Sequence, residues 1–156
     1  MGAVTRLFAA FAALLLVLGF GPRAAAPPRK GAERGVRQAL VRLNNRLAAR
    51  DLTILEEFMP DAETLLVGSE IGEVARGRMG LEAHFRALFE RAAILAYDWR
   101  EVEVAVHGPV AWLHAEGHAV LRGSGPEQRR PYRLTAVFEL HQGQWKWRLF
   151  HGSEPA

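Results

Sequence analysis

From Val36 the apolar residues Val36, Leu40, Leu43 and Leu47 recur at spacings of four, three and four, with Arg37, Arg42, Arg46 and Arg50 turned away. That period predicts an amphipathic helix ending near Arg50-Asp51. Leu52 to Met59 reads as a second, short helix, with Thr53 placed as N-cap, Glu56 three residues on and Pro60 as the stop. Thr64-Leu-Leu-Val-Gly68 is short and β-prone and leads into a turn at Gly72. From Gly80 to Ala93 helical spacing returns, with Leu81, Phe85, Leu88 and Phe89 on one face and Arg86, Glu90 and Arg91 opposite.

After Ala93 the period changes to two and stays there. Trp99 to His107 alternates around Val102, Val104 and Val106, and Val110 to Arg122 follows the Gly108-Pro109 turn. Tyr132 to His141 and Trp145 to His151 form a hairpin about Gln142-Gly143, and Arg129-Arg130 falls in the turn before it. Helices first and an antiparallel meander afterwards is the α+β pattern, in which the apolar stripes of the helices must cover one face of the sheet.

The N-terminus has no such alternation. Arg6 precedes an unbroken apolar run from Leu7 to Phe20, the length of a secretion signal and short for a membrane span. Ala24-Ala25-Ala26 offers a cleavage site, although Arg23 and Pro27 flank it; an uncleaved membrane anchor is the competing reading. Residues 1–26 are therefore read as a signal peptide, 27–33 as a linker rich in proline and glycine, and 34–154 as one domain of exported, periplasmic or extracellular location.

Removing residues 1–26 takes two arginines and no acid, leaving 18 basic against 17 acidic residues. The arginines are scattered among acids, so no stripe tracks a phosphate backbone and nucleic acid is excluded as a partner. There is no cysteine, which excludes disulfides, thiolate metal sites and a cysteine nucleophile.

The order of elements, with Ala49-Arg-Asp-Leu52 closing the first helix, Arg76-Gly77 before the third, and Arg133-Leu-Thr-Ala-Val-Phe-Glu-Leu-His-Gln-Gly-Gln-Trp145 running into His151-Gly-Ser153, resembles the SnoaL-like branch of the nuclear transport factor 2-like superfamily. Within it the hairpin is most similar to the group related to the association domain of calcium/calmodulin-dependent protein kinase II. The resemblance implies a conical, cystatin-like fold with a pocket between sheet and helices, and a homodimer through the outer sheet face. It implies no single activity, because the superfamily holds isomerases, dehydratases, polyketide cyclases, transport adaptors and assembly modules. The association domain carries arginines where Ala136 and Gly117 stand here, so the resemblance does not extend to an acidic ligand held by that pair.

Along Val110 to Arg122 one face reads Ala111, Leu113, Ala115, Gly117, Ala119, Leu121, a small apolar set suited to the concave side. His114, Glu116 and His118 then point outward, as a polar face or, with a fourth ligand, a metal site; no metal and no cofactor is expected. Alignment of the hairpin with the association domain puts Tyr132, Leu134, Ala136 and Phe138 on the pocket side, and strand parity adds Trp147, Leu149 and His151. Tyr97 and Tyr132 offer phenol donors. His151 is the candidate general acid or base, or an orienting donor, or a structural residue bonded to Ser153.

The leading expectation is an exported binding module whose mainly apolar pocket takes a small uncharged or weakly polar molecule oriented by His151 and Tyr132. The alternatives are an isomerase, cyclase or dehydratase using His151, and an assembly module with a filled cavity. Residues 1–33 fused to a reporter should carry it across the membrane, and a reporter left soluble in the cytoplasm would sink the export reading. If Trp112 lies in a two-fold contact, Trp112→Glu should convert a dimer to monomer by light scattering, and a monomeric wild type removes the basis for that contact.

Overall fold

The computed structural model describes residues 29–155; the segment 1–26 expected to be a signal peptide and the first two residues of the expected linker lie outside them. Helix α1 (Arg29–Ala48) begins inside the stretch expected to be linker, because Ala32 continues the apolar stripe back by one turn and is buried. That burial offsets the helix cost of Gly31 and Gly35, about 1 kcal/mol each. Gly35 has a further reason: a Cβ there would stand 2.6 Å from the ring of Trp145, so only glycine lets the helix approach.

The second helix is a 3₁₀ segment (Leu52–Glu57) whose cap is Asp51, not Thr53. The chain leaves α1 through Arg50 at positive φ and Asp51 is already extended, so the Asp51 carboxylate accepts from Thr53 N at 2.9 Å and Thr53 Oγ1 at 2.7 Å. Glu57 is buried and accepts from Arg42 Nε with both oxygens, at 3.2 and 3.0 Å. This ion pair ties the 3₁₀ segment to α1.

Strands β1 (Leu65–Val67) and β2 (Val74–Arg76) flank the Gly72 turn. β2 was not expected, since Val74-Ala75-Arg76 is too short to show a period and, unlike Leu65-Leu66-Val67, is not a continuous apolar run. Helix α2 (Gly77–Glu90) starts three residues before the expected Gly80 and stops before Ala93. β3 (Ile94–His107), β4 (Val110–Arg122), β5 (Gln128–His141) and β6 (Gln144–Ser153) form the meander. β5 therefore includes Arg129 and Arg130, which are strand rather than turn, and Arg129 is held by Asp98 and Glu127. The sheet order is β2-β1-β6-β5-β4-β3, antiparallel except where β1 runs parallel to β6.

Side chains of Leu113, Leu134, Ala136, Phe138 and Trp147 fill the concave face under Val36, Leu40 and Leu43 of α1. Two irregularities break the alternation. In β3 the register shifts between Trp99 and Glu101, and in β6 Trp147 and Leu149 pair with the consecutive residues Phe138 and Val137, so Arg148 is an extra residue. A bulge of one residue turns every following side chain to the other face. Arg148 is fixed by Glu139, Nε to Oε1 at 2.6 Å, and by Asp61, Nη2 to Oδ2 at 2.9 Å. Its guanidinium in turn holds the Asp61 carboxyl below the usual range.

Candidate functional site

Beyond Gly117 the concave face is not filled. A cavity of about 120 Å³ lies there between the sheet, α1 and α2. Its floor is Leu95 and Tyr97 of β3, Ala119 and Leu121 of β4, Tyr132 of β5 and Phe150 of β6. Leu43 and Leu47 of α1 and His84, Phe85 and Leu88 of α2 form the opposite wall. The turn joining β1 and β2 supplies a lip of Gly68, Ser69, Glu70 and Glu73, and Arg91, Arg130 and Glu154 complete the rim.

Tyr97 is set by a two-point clamp from α1. Asn44 Nδ2 donates to Tyr97 O at 3.0 Å, and Tyr97 N donates to Asn44 Oδ1 at 2.7 Å. The Tyr97 ring stacks on Trp99 with centroids 4.9 Å apart and lies 5.0 Å from that of Tyr132. Tyr132 in turn reaches over Gly152, where a Cβ would stand 1.8 Å from its hydroxyl. Burial pushes the Tyr97 phenol well up, reinforced by the adjacent Tyr132, and burial raises Tyr132 as well. Both hydroxyls are therefore protonated donors at neutral pH. Burial also lowers His84; Glu73 opposes that shift and Arg91 adds to it. Its imidazole is held toward the neutral form.

The residues expected for the pocket divide into three groups. Tyr132 lines the cavity, as does Tyr97. Leu113, Ala115, Leu134, Ala136, Phe138 and Trp147 face the same side but are packed solid in the closed part of the core. Gly117 opens no space either, because a Cβ there would stand 2.1 Å from Asp98 O on the bulged strand. Leu149 and His151 are on the outer face: His151 is exposed, opposite exposed Thr135, because the extra Arg148 reverses parity and puts Phe150 and Gly152 inside. The catalytic or orienting role expected of His151 is thus withdrawn. His114 and Glu116 also face outward, with Glu116 engaged by Arg133 Nε at 3.0 Å. Among the described residues no group of three His, Asp or Glu is placed to hold a metal ion.

His84 was missed, although it stands three residues after Leu81 and four before Leu88, on the apolar stripe of α2. An imidazole on a buried stripe was the available signal. Glu73 had none, because a turn has no period. The arrangement that results is an apolar aromatic cavity with two phenol donors on one side and an imidazole on the other. It can orient a polar group on a small hydrophobic molecule.

A family model for the SnoaL-like domain matches residues 36–156. No curated protein matches the chain. Among solved structures, a candidate dehydratase of the nuclear transport factor 2-like family from Streptomyces avermitilis superposes with a TM-score of 0.74 at 18% identity, covering 81% of this chain and 98% of its own. A candidate scytalone dehydratase from Novosphingobium aromaticivorans gives 0.72 at 11% identity, over 81% and 86%. A candidate calcium/calmodulin-dependent protein kinase type II association domain from Thiobacillus denitrificans gives 0.67 at 16% identity, over 77% and 94%. At these identities the likeness establishes the fold, which is nuclear transport factor 2-like and α+β.

The position of His84 has a consequence for pH. Its folded pKa is lowered, so between that value and the unfolded value near 6.5 the unfolded chain binds more protons, and stability falls as pH falls through this window. His84→Gln removes that titration. Thermal midpoints measured from neutral pH to pH about 5 should drop less for the variant than for the wild type, and parallel curves would show that His84 is not held neutral by its surroundings.

Proposed function

This chain belongs to the SnoaL-like domain family, and from that premise we propose that it is an exported module that binds a small, mainly apolar molecule carrying one polar group. The observation that carries the reading is the cavity itself: unfilled, aromatic, and equipped with the Tyr97 and Tyr132 hydroxyls. At about 120 Å³ it has room for a body near the size of benzene. Larger ligands require the β1–β2 lip to move. The outer sheet face, where Trp112 is 47% exposed and stacks on His107, is the proposed contact between two copies.

A proton-transfer enzyme is the second reading, and His84 favours it. A neutral imidazole opposite two phenol donors supplies a base and a stabiliser for a developing oxyanion. Two of the structural neighbours are candidate dehydratases. Under this reading His84→Gln lowers turnover by a hundredfold or so while binding survives, whereas a binding module loses no more than a few-fold in affinity.

Ala119 sits on the cavity floor, so Ala119→Leu places its added carbons in the open volume. Because that space is empty, the variant should fold, with a cost at or below the usual range of about 1–3 kcal/mol for overpacking. Mass spectrometry of small molecules retained by the purified domain should find a ligand on the wild type and none on Ala119→Leu. Equal retention by both would place the ligand elsewhere, and an empty wild type would leave the assembly module.

A further inference from the structure

We propose that the polar group this cavity accepts is cationic: a small ammonium on an apolar body, with Glu73 as counter-ion and the rings of Phe85, Tyr97 and Tyr132 as walls. The inference rests on the binding reading above and departs from the uncharged ligand suggested by strand parity.

Glu73 is the group that demands it. Its carboxylate is folded back over Gly68, where Oε2 lies 1.7 Å from the place a Cβ would occupy, so a side chain at 68 would drive it out. It is half-buried, while its neighbour Glu70 is exposed. Its one side-chain hydrogen bond is a long one, from Glu70 N at 3.5 Å. Among the described residues no Lys, Arg or His stands within ion-pair distance of it, although Arg42, Arg46, Arg129, Arg133 and Arg148 are all matched to acids. A carboxylate held partly out of water beside an apolar cavity and left without a cation is unfavourable, and a ligand cation relieves that cost. Its field also bears on each of His84, Tyr97 and Tyr132.

The rivals are weaker. Arg130 on the rim lies 3.9 Å from Glu154, which offsets its charge. Arg91 is exposed, so water and salt screen it. Glu70, Glu73 and Glu154 together exceed these two arginines on the rim, so the charge lining the cavity disfavours an anion. Aromatic faces attract a cation most strongly where water is excluded, and the cavity wall is rich in them. Its volume suits a compact, tetrahedral ammonium.

Three probes of similar shape separate the cases: tetramethylammonium, tert-butanol with the same number of heavy atoms and no charge, and pivalate. Each is titrated into the full domain at mildly alkaline pH, where His84 is neutral, and followed by the NMR signals of Tyr97, Tyr132 and His84. Tetramethylammonium should bind about tenfold more tightly than tert-butanol. In Glu73→Gln that preference should largely vanish, and in Glu103→Gln, at an exposed carboxylate outside the cavity lining, it should persist. Equal or tighter binding of tert-butanol to the wild type overturns the cation and leaves the binding reading intact. Tighter pivalate binding overturns it in favour of Arg91 and Arg130, and a cation preference that survives Glu73→Gln removes Glu73 from the site. If no probe moves the cavity signals the inference fails, and if no retained molecule is found by mass spectrometry the binding reading fails with it.

Discussion

The extra residue at Arg148 decides what faces what. Before it, Trp145 and Trp147 of β6 point into the core; after it, Phe150 and Gly152 do, and His151 is sent outside. The bulge is held from two sides, by Glu139 on the adjacent strand and by Asp61 in the segment after the 3₁₀ turn. A side chain with this many charge-assisted bonds and little exposure is expensive to move, so the parity of the strand end is fixed with it. The gap left by Gly152 is what the Tyr132 hydroxyl packs against, Phe150 lies beside Tyr97, and the cavity floor follows from that.

The concave face is thus divided along its length. One end is packed to the density of a core by Phe138, Trp147 and the stripe of α1, while the other keeps small residues at Ala119 and Gly152 and bounds the space with rings. Rings that stack on one another, as Tyr97 does on Trp99, hold their positions without needing a filled cavity between them. The packed end supplies stability, and the open end is free to be specialised.

Much of this was legible. The periods of 3.6 and 2 located α1, α2 and the meander, and Val110 to Arg122 was placed to the residue. The fold class followed from that order, and the concave face of β4 from its small side chains. What failed did so at irregularities. Alternation cannot show a bulge, so Leu149 and His151 were assigned to the wrong face although the rule applied to them was sound. The true start of α1 was hidden by Gly31 and Gly35, whose propensity argues against helix, although packing against Trp145 requires glycine at 35. Glu73 lies in a turn, and its inward fold depends on a glycine five residues away. No local pattern encodes that.

The clamp between Asn44 and Tyr97 also bears on how the sheet ends. β3 is an edge strand of fourteen residues, a length that ordinarily invites another chain to add to it. The Asn44 amide occupies both the N–H and the C=O of Tyr97, and Arg37 Nη2 donates to Val102 O at 2.9 Å, so α1 takes up part of the row of groups an incoming strand would need. At the other edge β2 offers only three residues. Both edges of the sheet are thus blunted in part, one by the contacts that α1 makes along it and the other by its shortness.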